Sequence, residues 1–298
     1  MRRTVPGSAR PRPRAVLAAV LVTLVAALAA CGAEPEPTAT VTVTATPPAS
    51  AGATGTPVAT PAPPTTLSLY FLRGEKLGVA ERRVPSTTMP ATAALKALFE
   101  GPSPAEATAG LSSQVPPGTK LRALRIEGGV ATVDLSARFA AGGGSLSLTA
   151  RVAEVVYTLT QFPTVKAVDF RLEGAAVLAL GGEGLILEAG QRRADWREFE
   201  PLIFVEKPGV GAVLSSPFVL SGTASVFEGA FIARLVGGGS RLADVPVQAT
   251  RGAPGRGRFR ETIAFDTTSA SGTVVVFDQS MEDGSRQDEV RIPVTFAQ

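Results

Sequence analysis

The apolar positions of this chain repeat with mixed periods up to about residue 190 and with a period of two only after residue 202. In the stretch TLSLYFLRG, residues 66–74, Leu67, Leu69 and Phe71 recur with a period of two, the signature of a half-buried strand, and VAERRV at 79–84 is its expected partner. TAALKALFEG places Ala94, Leu95, Leu98 and Phe99 on a helical stripe that Gly101-Pro102 ends. Two alternating runs, 121–126 and 130–135, meet at Gly128-Gly129 and predict a hairpin. A second helix over 146–161 turns Leu148, Val152, Val155, Val156 and Leu159 to a core, and Pro163 stops it. A strand at 165–172 and a hairpin in AVLALGGEGLIL complete an α+β domain with a mixed sheet and two helices, residues 66–190. Residues 191–201 form a charged interdomain linker, and residues 202–298 hold about seven short strands, the spacing of a β-sandwich. With no cysteine pair, rings such as Phe218, Phe231, Phe265 and Phe277 are expected to fill its core.

An earlier apolar run, residues 15–27, follows Arg2, Arg3, Arg10, Arg12 and Arg14 and precedes small residues, the three parts of an export signal. It is short for a permanent span, which needs roughly 20 apolar residues. Leu28-Ala29-Ala30-Cys31 resembles the bacterial lipobox, and Cys31 is the sole cysteine among 298 residues. The resemblance implies acylation of Cys31 and attachment to membrane lipid at the outer face of the bacterial cytoplasmic membrane; the plainer reading is a buried cysteine in an uncleaved anchor helix. Residues 32–65, rich in Pro, Thr and Ala, offer nothing to bury and read as a disordered linker. Its threonines are candidate O-glycosylation sites. The leader carries five of the 29 basic residues and no acidic one, which leaves 24 against 26 acidic ones behind it and removes the case for nucleic acid.

The succession Leu69-Tyr70-Phe71, ALKALFEGP, VPPGTKL, GGVATVDLS and VVYTLTQFPTVKAVDFRLEG resembles the GerMN domain of bacterial sporulation and spore germination proteins. SSPFVLSGTASVFEGAFIARL, with a later DGS, is similar to the immunoglobulin-like domain that commonly follows it. The resemblance implies an immunoglobulin-like sandwich and a role in envelope, sporulation or germination complexes.

Chemistry is sparse. With no histidine, a Ser-His-Asp triad and the usual zinc sets are absent, and no cofactor or metal is expected. Ser112-Ser113 has no base close in sequence and reads as solvated loop serines. Glu282-Asp283 reads as a turn, and Asp288-Glu289, adjacent on a strand, should point to opposite faces. Glu228 in VFEGAF, where the related family also carries an acid, is either a ligand contact or a loop hydrogen bond. Arg256, Arg258 and Arg260 alternate along one strand face, as a site for anionic wall polymer or as a solvated edge. Trp196 either packs across the domain junction or serves as an exposed binding aromatic. The expected function is a tethered, non-enzymatic scaffold or adaptor whose partners are envelope proteins; peptidoglycan or a small ligand is the alternative partner, and a hydrolase ranks last.

Overall fold

The alternating stretch after the linker becomes β1 (Thr65–Arg73), the middle strand of a three-stranded antiparallel sheet with β2 (Lys76–Val84) and β3 (Leu111–Ser112) at its sides. The computed structural model describes residues 62–181 and 184–297, so the leader, Cys31 and the linker to residue 61 lie outside the described residues. Contrary to the half-buried expectation, β1 is covered on both faces, Ser68, Tyr70 and Leu72 being buried along with Leu67, Leu69 and Phe71, Ser68 least of them. The second face is buried because residues from beyond the first domain pack on Tyr70.

Helix α1 (Pro90–Phe99) buries Ala91, Ala94, Leu95, Ala97 and Leu98, and Gly101 follows its end at φ +80°. A short helix, α2 (Pro104–Thr108), is fixed by a capping box: the Ser103 N–H donates to Glu106 Oε2 at 2.7 Å while the Ser103 hydroxyl accepts from the Glu106 N–H. Strands β4 (Leu121–Glu127) and β5 (Val130–Leu135) form the expected hairpin, paired from Glu127↔Val130. Gly128 and Gly129 have φ +55° and +86°, which a two-residue turn of this hand requires. Helix α3 (Ser145–Leu159) carries the chain from β5 to β6 (Ala167–Leu172), which pairs parallel to β5, and β7 (Ala175–Ala176) ends the four-stranded sheet β4-β5-β6-β7. Strands β8 (Ala179–Leu180) and β9 (Leu185–Ile186) form a separate small hairpin.

After a 3-10 segment at Arg193–Phe199 the described chain is built of strands, with one 3-10 turn at Phe227–Gly229. Strand β10 (Ile203–Lys207) pairs with β12 (Phe218–Ala224), and β12 with β15 (Gly257–Ile263). The facing sheet runs β11-β17-β16-β13-β14, from β11 (Val213–Leu214), β13 (Ala230–Gly237), β14 (Ser240–Gln248), β16 (Ser271–Gln279) and β17 (Arg286–Phe296). The fold is thus an α+β domain followed by an immunoglobulin-like sandwich. Between the sheets Phe231 meets Phe259 edge-on at 4.9 Å, and Phe265 joins Phe218 at 6.0 Å to Phe296 at 5.0 Å. Phe277 departs from expectation. It is buried, yet on the outer face of its sheet, beneath the guanidinium groups of Arg234 at 5.1 Å and Arg286 at 4.6 Å. Val274 and Val276 take the inward positions of β16, and strand alternation turns Phe277 away from them.

One hydrophobic core runs without interruption from Leu67 in β1 through Phe199, Phe204 and Val210 to Phe296 in β17. Among the described residues no helix is long and apolar enough to cross a membrane.

Candidate functional site

The most densely connected polar site lies where the two halves of that core meet. It gathers Tyr70 from β1, Tyr157 from α3, Arg193 from the 3-10 segment, and Phe204 and Glu206 from β10. Period-two alternation puts Phe204 and Glu206 on one face of β10. The segment bearing Arg193 is held by Asp195, whose carboxylate accepts from the Arg192 N–H at 2.7 Å, and it kinks at Trp196.

Arg193 is the hub. Its Nη1 pairs with Glu206 Oε1 at 2.5 Å, Nη2 donates to the Tyr70 hydroxyl at 2.9 Å, and Nε donates to Thr160 Oγ1 at 2.8 Å. The guanidinium also lies 5.0 Å from the Tyr70 ring centroid and 4.8 Å from that of Tyr157. Phe204 stands edge-on to both tyrosines, with centroids 6.1 and 6.0 Å away. The Tyr70 hydroxyl donates to Glu206 Oε1 at 2.7 Å, and that of Tyr157 donates to Glu200 Oε1 at 2.7 Å. Burial first, and then the neighbouring carboxylates, raise both phenols above their ordinary value, so neither ionises near neutral pH. Burial opposes the Arg193 charge, but Tyr70 and Glu206 outweigh it and hold the guanidinium above its usual value.

The polar ring continues into the sandwich. Arg256 Nε lies 2.9 Å from Glu200 Oε2, as an ion pair without directed hydrogen-bond geometry, while Arg256 Nη2 donates to the Pro201 carbonyl at 2.8 Å. Nearby, β2 and the loop after β10 exchange backbone hydrogen bonds: Glu81 N–H to Val210 O and Val210 N–H to Val79 O, each 2.8 Å. Gly209 makes this approach possible, since a Cβ there would stand 3.0 Å from the backbone of Ala80 and Glu81.

The residues singled out in the sequence fall in different places. Arg256 precedes β15 and is engaged at the junction, which separates it from Arg258 and Arg260, both exposed on the outer face of β15 beside Thr223 and Ser221. Trp196 is buried at 6% exposure, with its indole N–H unpartnered among the described residues; it is therefore no exposed binding aromatic. Glu228 sits in a 3-10 turn at φ +52°, where its backbone carbonyl accepts from Gln248 Nε2 at 2.8 Å. Cys31 lies outside the described residues. Asp288 and Glu289 do not point to opposite faces: two residues of β17 oppose one of β16 between Val276↔Val290 and Asp278↔Gln287, and Asp288 adopts φ +51°. This bulge brings both carboxylates to one cleft.

Ser113 is not a solvated loop serine. Its hydroxyl donates at 2.6 Å to Glu154 Oε2, and the Gln114 N–H donates to Oε1 at 2.7 Å; the base lies 41 residues away on α3. Glu154 is fully buried without an ion pair, because Arg151, one turn earlier, spends its guanidinium on the carbonyls of Phe139, Ala141 and Gly142. Burial pushes the Glu154 carboxyl up to about 8, against the two hydrogen bonds that favour its ionised form. A glutamate in the unfolded chain titrates near ~4.3. Between these values the folded state keeps a proton that the unfolded state has released. This contribution to stability is complete below pH ~4 and is lost as pH rises through about 8, at up to about 1.4 kcal/mol per pH unit. Glu154→Gln is expected to flatten that slope between pH 5 and 8, as urea denaturation at each pH will measure.

Sequence reasoning missed Tyr70, Tyr157, Arg193 and Glu206 as a unit, since their contacts span up to 136 residues. One signal was available: the chain has only two tyrosines, and both are here. Among the described residues no group of three or more His, Cys, Asp or Glu side chains is arranged to hold a metal.

Comparison with known proteins assigns the two halves. A family model described as sporulation and spore germination (Germane) matches residues 68–178, and one described as the immunoglobulin-like domain of bacterial spore germination (Gmad2) matches residues 202–285. The chain joins a GerMN domain to an immunoglobulin-like spore germination domain. The chain is similar to the first GerMN domain of the sporulation protein GerM from Bacillus subtilis, at 21% identity and TM-score 0.38 over 44% of this chain and 99% of that one. The tandem GerMN domains of the same protein match at 19% identity and TM-score 0.40, covering 67% of this chain and 61% of that one. No curated protein matches the chain. The hub residue Arg193 falls between the two matched segments, and Tyr70 and Glu206 each fall inside one, so the junction welds the GerMN domain to its immunoglobulin-like neighbour.

Proposed function

We propose that the protein is a non-enzymatic scaffold or adaptor, tethered by acylated Cys31 to the outer face of the bacterial cytoplasmic membrane, in cell-envelope, sporulation or germination complexes. The observation that supports this reading most is the junction itself. Its buried aromatic rings, its hydrogen-bonded phenols and the Arg193–Glu206 pair serve to hold two modules in one arrangement, not to turn over a substrate. Two surfaces held at a constant separation suit a protein that brings neighbours together. Two or three acyl chains on Cys31 would give stable membrane attachment where one would be marginal. Crosslinking in the native envelope tests the reading: specific envelope proteins should be captured by the wild type and lost with Arg193→Ala. Capture unaffected by loosening the junction contradicts it. Labelling with a fatty-acid probe should mark the wild type and leave Cys31→Ser unmarked.

A second reading, retention on peptidoglycan, has one observation in its favour. Arg258 and Arg260 carry no ion pair among the described residues and line an open groove with Glu206, Ser221, Gln248 and Thr250. Under it, Arg258→Glu with Arg260→Glu abolishes co-sedimentation with purified peptidoglycan while stability changes by less than about 0.5 kcal/mol, as for ordinary surface sites. Arg256→Glu behaves differently. It sets a carboxylate against Glu200 at the junction and is expected to cost about 2 kcal/mol, read from the urea midpoint.

A further inference from the structure

A cleft of about 280 Å³ opens between the β1–β2 hairpin and the immunoglobulin-like domain. Arg73 lies in one wall. Its Nε and Nη2 are sealed from solvent and have no hydrogen-bond partner, and burial holds the guanidinium below its ordinary pKa. An arginine remains charged at neutral pH even so, and Nη1, which is not among the covered atoms, is left to attract a carboxylate through a charge-assisted hydrogen bond. Among the described residues nothing satisfies it: Lys76, in the same wall, gives its ammonium to the Glu198 carbonyl, and no described carboxylate pairs with Arg73.

The opposite charge stands in the other wall. The bulge in β17 delivers Asp288 and Glu289 to the cleft, where Glu289 is already paired with Arg286 at 3.1 Å and Arg291 at 2.8 Å. Asp288 has no hydrogen-bond or ion-pair partner among the described residues; burial, and then the like charge of Asp278, hold its carboxyl above the ordinary value. The floor is apolar, from Leu77, Val79, Phe204 and Ile292. An unpaired guanidinium and an unpaired carboxylate therefore share one small apolar cleft without pairing with each other.

We propose that this cleft binds a small zwitterion carrying a carboxylate and an ammonium group, an apolar α-amino acid or the like end of a short peptide, its carboxylate on Arg73 and its ammonium on Asp288. Free leucine, about the size the cleft admits, is the probe for titration calorimetry of the full chain, beside N-acetylleucine, leucinamide and dialanine. Leucine should bind, and blocking either charged end should weaken binding at least tenfold; dialanine binding more tightly than leucine would assign the source to peptides. Arg73→Gln should abolish binding. Asp288→Asn, an exposed and conservative change, should remove the preference for leucine over N-acetylleucine. Should Arg73→Gln fail to fold in a thermal melt, the Asp288→Asn result decides. Neither leucine nor dialanine binding at millimolar concentration, equal affinity for the blocked forms, or an unaltered preference in Asp288→Asn would overturn the proposal.

Discussion

Phe204→Ala is expected to destabilise the protein by about 4 kcal/mol, because the ring is almost wholly buried and packs edge-on against both tyrosines where the two domains meet. Truncation removes the transfer free energy of the ring and leaves a cavity walled by Tyr70 and Tyr157. Those two rings are 5.6 Å apart and pinned by their hydroxyls to Glu206 and Glu200, so they cannot collapse into the gap. For a folded region of this size the loss corresponds to a fall in Tm on the order of 10 °C. Phe227→Ala, at a ring that is 63% exposed, is the control and should change stability by less than about 0.5 kcal/mol. The measurement is thermal unfolding followed by circular dichroism. Equal effects at the two positions would mean that the junction carries no particular energy.

Arg193→Ala is the second large effect, at about 3 kcal/mol. The substitution leaves the Glu206 carboxylate with only the Tyr70 hydroxyl and strips the cation from two aromatic faces. More than a quarter of each side chain of the pair remains accessible, so water offsets part of the penalty of a fully buried pair. Arg193→Lys keeps the charge but cannot reach Glu206, Tyr70 and Thr160 at once, and should recover less than half of the loss. A double-mutant cycle with Glu206→Gln should yield a coupling of about 1–2 kcal/mol. A coupling near zero would mean that the pair is an ordinary surface contact.

What the sequence made legible was local. The β4–β5 hairpin could be read because two alternating runs flank a Gly-Gly turn, and α3 because its apolar residues recur with the helical period. Seven of the eight strands of the sandwich were visible for the same reason; β11, two residues long, was not. The short helix α2 escaped, although Ser103-Pro104-Ala105-Glu106 spells a capping box. Other features had no local signal. Burial of β1 on its second face and the diversion of Arg256 from its strand face follow from packing between segments far apart in the chain. Asp288 and Glu289 were misjudged because strand alternation holds only while pairing is regular, and one bulge is enough to bring adjacent side chains together. Glu154 could not be linked to Ser113 without knowing that α3 passes beneath the loop.

The central claim is that the GerMN and immunoglobulin-like domains form one folded unit through the Arg193 junction. Differential scanning calorimetry of the full chain tests it most directly. A single transition with equal calorimetric and van't Hoff enthalpies, resolving into two transitions in Arg193→Ala, is the predicted result. Two independent transitions in the wild type would contradict it.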